Sequence, residues 1–256
     1  MDARLILATV CLASGPALAQ GFDASHAAWD ALVRKHVVVL PGGHASQVRY
    51  DGFAADRKDL KAYLDALSGV SRAQFDGWSR DERKAFLINA YNAFTVEKIL
   101  TRWPDIRSIW DFGKIFGNPF KDDFFRLLGG PMTLDGIEHG MLRKRGAYDD
   151  PRVHFAVNCA SVGCPMLREE AYVAAKLDAQ LDEQATRFLS DRTRNRFRDG
   201  RLEVSKIFDW FAEDFEPRAK FFTRYREALG YPGGEVPVEF LDYDWSLNDF
   251  RSSSRR

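Results

Sequence analysis

The stretch that most constrains the fold begins at Ser79-Arg80-Asp81-Glu82 and runs to about Leu100. Ser79 with Glu82 three residues later is a start signal of the capping-box kind. Ala85, Phe86, Leu87, Ile88, Ala90, Tyr91, Ala93, Phe94, Val96 and Ile99 then make the predicted helix apolar almost all round. A helix without a polar face belongs in the middle of a core. The rest of the chain therefore has to wrap it, and 256 residues with 20 Phe and 6 Trp supply the material. No internal repeat or low-complexity linker interrupts the sequence, so a single continuous domain is expected over residues 20–250.

Around that helix the pattern is mixed. Asp23 to about Val39 reads as a helix, and Leu60, Tyr63, Leu64 and Leu67 fall at helical spacing. Trp103 to Gly130 is aromatic and Gly-rich with poor periodicity, which predicts a long packed loop with short strands, and loops of that length tend to line sites. Asp135 to Arg143 is predicted as a short helix. Val153-His154-Phe155-Ala156-Val157 alternates as a strand does. Pro165 suits the first position of a helix through Tyr172, followed after a break by a helix from Leu177 to Leu189. A strand at Arg201–Val204, a helix at Ile207–Phe215 and an extended segment at Val238–Trp245 complete the reading. Helices dominate and strands are few, so the expected class is α+β, a mostly helical domain with a small β-sheet.

The two ends are read separately. Met1-Asp2-Ala3-Arg4 is a short n-region, and Leu5 to Ala13 is an apolar run too short to span a bilayer. Pro16-Ala17-Leu18-Ala19 supplies a small-x-small cleavage pattern, so residues 1–19 are expected to be a signal peptide, with Gln20 as the mature N-terminus. Val10 before Cys11 is a poor lipobox residue, which disfavours a lipid anchor. A periplasmic or secreted location follows, without membrane insertion, since no other apolar run approaches 18 residues. The Ser/Arg run at 251–256 reads as a disordered basic tail. Lys plus Arg and Asp plus Glu each number 37, which leaves no electrostatic footprint for nucleic acid. A peptide or small-molecule partner is expected instead.

Three constellations could carry chemistry. Asn89 and Asn92 sit inside the apolar helix, three apart and so on one face. Either they hydrogen-bond loop backbone and stitch the core, the larger expectation, or one of them orients a histidine or binds substrate. Asp135 lies four residues before His139, on the same helix face, and could fix one ring tautomer. Glu138, adjacent in sequence, would point elsewhere. The third runs from His154 to Pro165. Strand alternation would put Val153, Phe155 and Val157 on one face and His154, Ala156 and Asn158 on the other. His139 is then the better base for Cys159, with His154 pointing away. Cys164, just before Pro165 at a helix N-terminus, has its own claim to a lowered thiol pKa. The alternative is a Cys159–Cys164 disulfide, which an oxidising compartment favours.

Other signatures are absent. No Gly-x-Ser-x-Gly, P-loop, His-Glu-x-x-His or Gly-x-Gly-x-x-Gly occurs, so no cofactor is expected. His139, His154, Cys159 and Cys164 match no common zinc spacing, so no metal is expected either.

Five stretches together resemble a family of bacterial and plant proteins called domain of unknown function 547. They are Ala85-Phe86-Leu87-Ile88-Asn89-Ala90-Tyr91-Asn92-Ala93, Leu134 to Arg143, Val153 to Pro165, Ile207-Phe208-Asp209-Trp210-Phe211, and Tyr243 to Asn248. They span nearly all of the mature chain, in order. The resemblance implies no established activity. In plant members the place of Cys164 can hold Ser while that of Cys159 stays Cys, which implies that Cys159 is more than a partner for Cys164.

The leading expectation is thus a thiol-dependent hydrolase or acyltransferase, similar in logic to papain-like and transglutaminase-like proteins and acting on an amide, thioester or ester. Cys159 would be the nucleophile and His139 the base, with Asp135, Asn89 or Asn92 orienting it. Backbone N–H groups of the 160–164 turn would hold an oxyanion. Tyr91, Glu138, His154, Asn158 and Ser161 would contact substrate. Chain order requires a permuted arrangement, because His139 precedes Cys159. The rival is a non-catalytic binding module with an aromatic groove from Trp103–Gly130 and a Cys159–Cys164 disulfide as a rigid clip.

Overall fold

The computed structural model describes residues 21–113 and 117–250. The leader expected at 1–19 and the tail expected at 251–256 lie outside them. The chain forms the mostly helical α+β domain read from its sequence: among the described residues there are ten α-helices, two two-stranded sheets and one three-stranded sheet. Among the same residues no helix is long and apolar enough to cross a membrane.

The helix Arg80–Leu100 is central. Ser79 accepts from the Glu82 N–H at 3.2 Å and the Glu82 carboxylate accepts from the Ser79 N–H at 2.8 Å, closing the capping box. Every residue from Lys84 to Val96 is buried. Arg57–Ser68 packs beside it and Ala27–His36 packs on Arg57–Ser68, with Trp29 stacked on Tyr63 at 5.8 Å between ring centres. The helix Ala27–His36 is shorter than expected. The chain leaves it for a strand, Val37–Val39, because three consecutive β-branched residues favour pairing with Ser46–Val48.

A second apolar cluster gathers Phe155, Phe188, Phe208, Phe215, Phe221 and Leu229. It is covered by the helix Leu177–Ser190 and by the sheet of Arg196–Arg198, Arg201–Ser205 and Val238–Leu241. The middle strand runs antiparallel to the first and parallel to the last, with Leu202 opposite both Phe197 and Val238. The two clusters meet at residues 153–157. Val153, Ala156 and Val157 belong to the cluster around the central helix, whereas Phe155 belongs to the other.

That seam is where expectation and structure part. Pro151–Phe155 is a 3-10 helix, not a strand. Asp150 caps it by accepting from the Arg152 N–H at 3.1 Å, and Pro151 occupies its first position. With three residues per turn, alternation no longer decides which side chain points where. Residues 165–173 are not helical either. Their backbone is held from outside by the amides of Asn89, Gln180 and Gln184 and by the hydroxyl of Ser46. Cys164 therefore does not stand at a helix N-terminus. Farther on, the helix expected over 207–215 is an α-helix, Ile207–Trp210, followed by a 3-10 turn, Ala212–Phe215.

Candidate functional site

The seam opens into a cavity of about 130 Å³. The cysteine loop forms one wall, and its position is fixed from three directions. From the central helix, the Asn92 amide donates to the Ala156 carbonyl at 2.9 Å and accepts from the Asn158 N–H at 2.8 Å. Across the loop, the Asn158 side chain donates to the Pro165 carbonyl at 2.7 Å and accepts from the Ala160 N–H at 3.0 Å. The C-terminal segment then runs along the loop: the Val162 and Gly163 N–H groups donate to the Ser246 and Asp244 carbonyls, both at 2.8 Å. Glycine at 163 lets the segments approach this closely, since a Cβ there would stand 3.0 Å from the Asp244 backbone.

Inside this frame Cys159 and Cys164 form a disulfide, with Cα atoms 6.2 Å apart. Cys159 is half-buried and its sulfur lies 3.1 Å from the Ser161 hydroxyl and 3.3 Å from that of Tyr243. Burial holds the Tyr243 phenol well above its ordinary range, so it stays protonated. Cys164 is buried, and its sulfur accepts the Cys159 N–H at 2.8 Å.

The opposite wall comes from the segment after Thr133, whose hydroxyl caps a short α-helix, Leu134–Ile137, by accepting from the Gly136 N–H at 2.8 Å. The helix widens into a π turn, Glu138–Leu142, closed by the Arg143 N–H on the Glu138 carbonyl at 2.8 Å. Single π turns of this kind recur at functional sites. Asp135, Glu138 and His139 all line the cavity, so Glu138 does not point elsewhere as the helix reading expected. Tyr91, from the central helix, lines it too. Burial and the neighbouring Glu138 and Asp135 carboxylates hold the Tyr91 phenol far above its ordinary range.

Both histidines line the cavity. His139 is exposed, with Nε2 at 3.9 Å from Asp135 and Nδ1 against the Arg143 guanidinium. Arginine only donates, so Nδ1 is the acceptor and the ring proton sits on Nε2 facing Asp135. No basic nitrogen of His139 is left for a sulfur. His154 lies on the same cavity rather than pointing away, because the 3-10 turn replaces the strand. Its ring is stacked on Phe211 at 4.2 Å, and its Nε2 donates to Asp214 at 2.7 Å. Burial works against a charge on Asp214, but hydrogen bonds from His154 and Arg143 outweigh it and draw the carboxyl down to about 2. Asp214, sixty residues away in sequence, had no local signal to mark it.

Asn89, Asn92, Asn158 and Ser161 are all buried and lie behind the cavity wall. Asn89 pairs with both backbone groups of Tyr172, at 2.7 and 3.0 Å. The amides stitch loops to the core. The expected oxyanion donors are also engaged: besides the Ala160, Val162 and Gly163 N–H groups already placed, the Cys164 N–H donates to the Ser161 carbonyl at 3.2 Å.

Much of the remaining lining is aromatic; Phe120 belongs to the segment expected to form an aromatic groove, and the other rings were assigned no role from sequence. Phe120 comes from the long loop, Trp210 and Phe211 from the helix after the middle strand, and Tyr243 and Trp245 from the C-terminal segment. Trp210 stacks on Trp245 at 5.7 Å, and Tyr243 lies 4.6 Å from Trp245. Trp210 and nearby Trp110 remain 43% and 40% exposed, uncommon for large apolar side chains, and that exposure was the signal to look for. Among the described residues, no group of three or more His, Cys, Asp or Glu side chains is gathered as a metal site requires.

Compared with known proteins, residues 75–189 match the model of the family described as Protein of unknown function, DUF547. No curated protein matches, and neither does any solved structure. The match covers the central helix, the Asp135–His139 turn and the whole cysteine loop, so over those residues the chain is similar to the domain of unknown function 547 family.

Proposed function

We propose that this chain is an exported ligand-binding protein whose Cys159–Cys164 disulfide braces one wall of an aromatic pocket. The observation that carries this reading is the state of the cysteine loop. Its sulfurs are bonded to each other, and the N–H groups of residues 159, 160, 162, 163 and 164 are each engaged by a protein acceptor. Acyl transfer needs a free thiolate and donors aimed at a developing oxyanion. A rigid clip needs neither. Export rests on the leader-like residues 1–19 and on the paired thiols, which oxidising compartments favour.

A second reading keeps the thiol chemistry: on reduction Cys159 would attack an amide, thioester or ester. The His154–Asp214 pair favours it, because a carboxylate-held imidazole on the cavity is what such a nucleophile requires. In that reading the base is His154, not His139. Ligand-observed NMR with cationic, neutral and anionic fragments separates the two. The binding reading expects hits that vanish in Trp245→Ala, and no release of nitrophenol from nitrophenyl esters above buffer with or without reductant. Turnover that appears on reduction and is lost in Cys159→Ser would replace it with the enzyme.

A further inference from the structure

We infer that the pocket takes a compact organic cation, an alkylammonium head group. The inference rests on the binding reading above and names the class of its ligand. Three observations converge.

The first is size. The cavity measures about 130 Å³, whereas pockets for drug-sized ligands start at roughly 300 Å³. A cavity of about 150 Å³ accepts benzene. The space suits one small head group with its remainder outside.

The second is the ring content. Tyr91, Phe120, Trp210, Tyr243 and Trp245 surround that space, and Phe211 beside them already carries the Arg143 guanidinium 4.6 Å over its ring. An aromatic face is the negative end of the ring quadrupole, and cations within about 6 Å of a ring centre are drawn to it, indoles most strongly. Trp210 and Trp245 supply two indoles at the mouth, and the exposure of Trp210 leaves the mouth open to solvent.

The third is charge. The carboxylates of Asp135 and Glu138 line the cavity, and among the described residues no lysine or arginine does. His154 donates from Nε2 to the Asp214 carboxylate, which faces it at 2.7 Å. His139 turns Nδ1 to Arg143 and Nε2 toward Asp135. A neutral apolar group would strip water from both carboxylates and return nothing, and an anion would be repelled. A cation satisfies rings and carboxylates together.

The test uses the whole oxidised protein and three probes read through tryptophan fluorescence: choline, dimethylbutanol as its uncharged isostere, and methyl glucoside. Butylammonium, added as a fourth, distinguishes a protonated amine from a quaternary one. Choline or butylammonium should bind at least about tenfold more tightly than dimethylbutanol. Glu138→Gln and, independently, Asp135→Asn should each narrow that gap. Equal binding of choline and dimethylbutanol, or preferential binding of the glucoside, would overturn the cation while leaving the pocket reading intact. Silence from all four probes would count against both.

Discussion

Asp150→Ala is expected to destabilise the protein by about 3–5 kcal/mol, the cost of leaving a buried charge without its partner. The Lys84 side chain, 5% exposed, ends on the Asp150 carboxylate, which also receives two hydrogen bonds from Arg152 at 2.9 Å. Burial alone would raise the Asp150 carboxyl. The Arg152 and Lys84 contacts overcome it and hold the group at about 2. A depressed carboxyl stabilises the fold fully above its unfolded value, near 3.9, and that contribution fades as pH falls through about 2. Urea denaturation should therefore show a gap between wild type and Asp150→Asn that is wide at pH 7 and shrinks between pH 4 and 2. A gap independent of pH would mean that the ion pair adds nothing. The same residue caps the 3-10 turn that brings His154 to the cavity, so its loss should loosen the site along with the core.

Asn92→Ala should cost about 3 kcal/mol, since two buried backbone groups, the Ala156 carbonyl and the Asn158 N–H, lose their partner and each carries roughly 1–3 kcal/mol of desolvation penalty. Asn92→Asp keeps the acceptor but not the donor, and should recover part of the loss. Both are read from denaturant midpoints. The change falls on the residues just ahead of Cys159, so it should also weaken fragment binding in the pocket. An Asn92→Ala protein as stable as wild type would show that solvent replaces the amide, contrary to its 2% exposure.

The central helix was legible because its signals are local: a capping box, then an apolar run with no polar face. The long aromatic loop was legible as well, from its composition. The seam was not. Val153 to Val157 alternates as a strand does, yet the Asp150 cap and Pro151 start a 3-10 turn there. Pro165 suggested a helix. The chain there follows amides from Asn89, Gln180 and Gln184 instead, and contacts from so far along the sequence leave no periodicity. The same limit applies to the site. Tyr91, Asp135, Glu138, His139, His154 and Cys159 could be named one by one. Whether they meet depended on a π turn, and the partner of His154 depended on Asp214, which no spacing rule connects to it.

The claim that Cys159 belongs to a clip and is not a nucleophile is tested most directly by alkylation. Protein purified without reductant is treated with iodoacetamide before and after reduction, and the cysteine peptides are weighed by mass spectrometry. The account predicts that neither Cys159 nor Cys164 is modified in the native unreduced chain, and that both are modified once reductant is added. Rapid alkylation of Cys159 in the native unreduced protein, with a midpoint well below the ordinary thiol value of about 8.5, would contradict it.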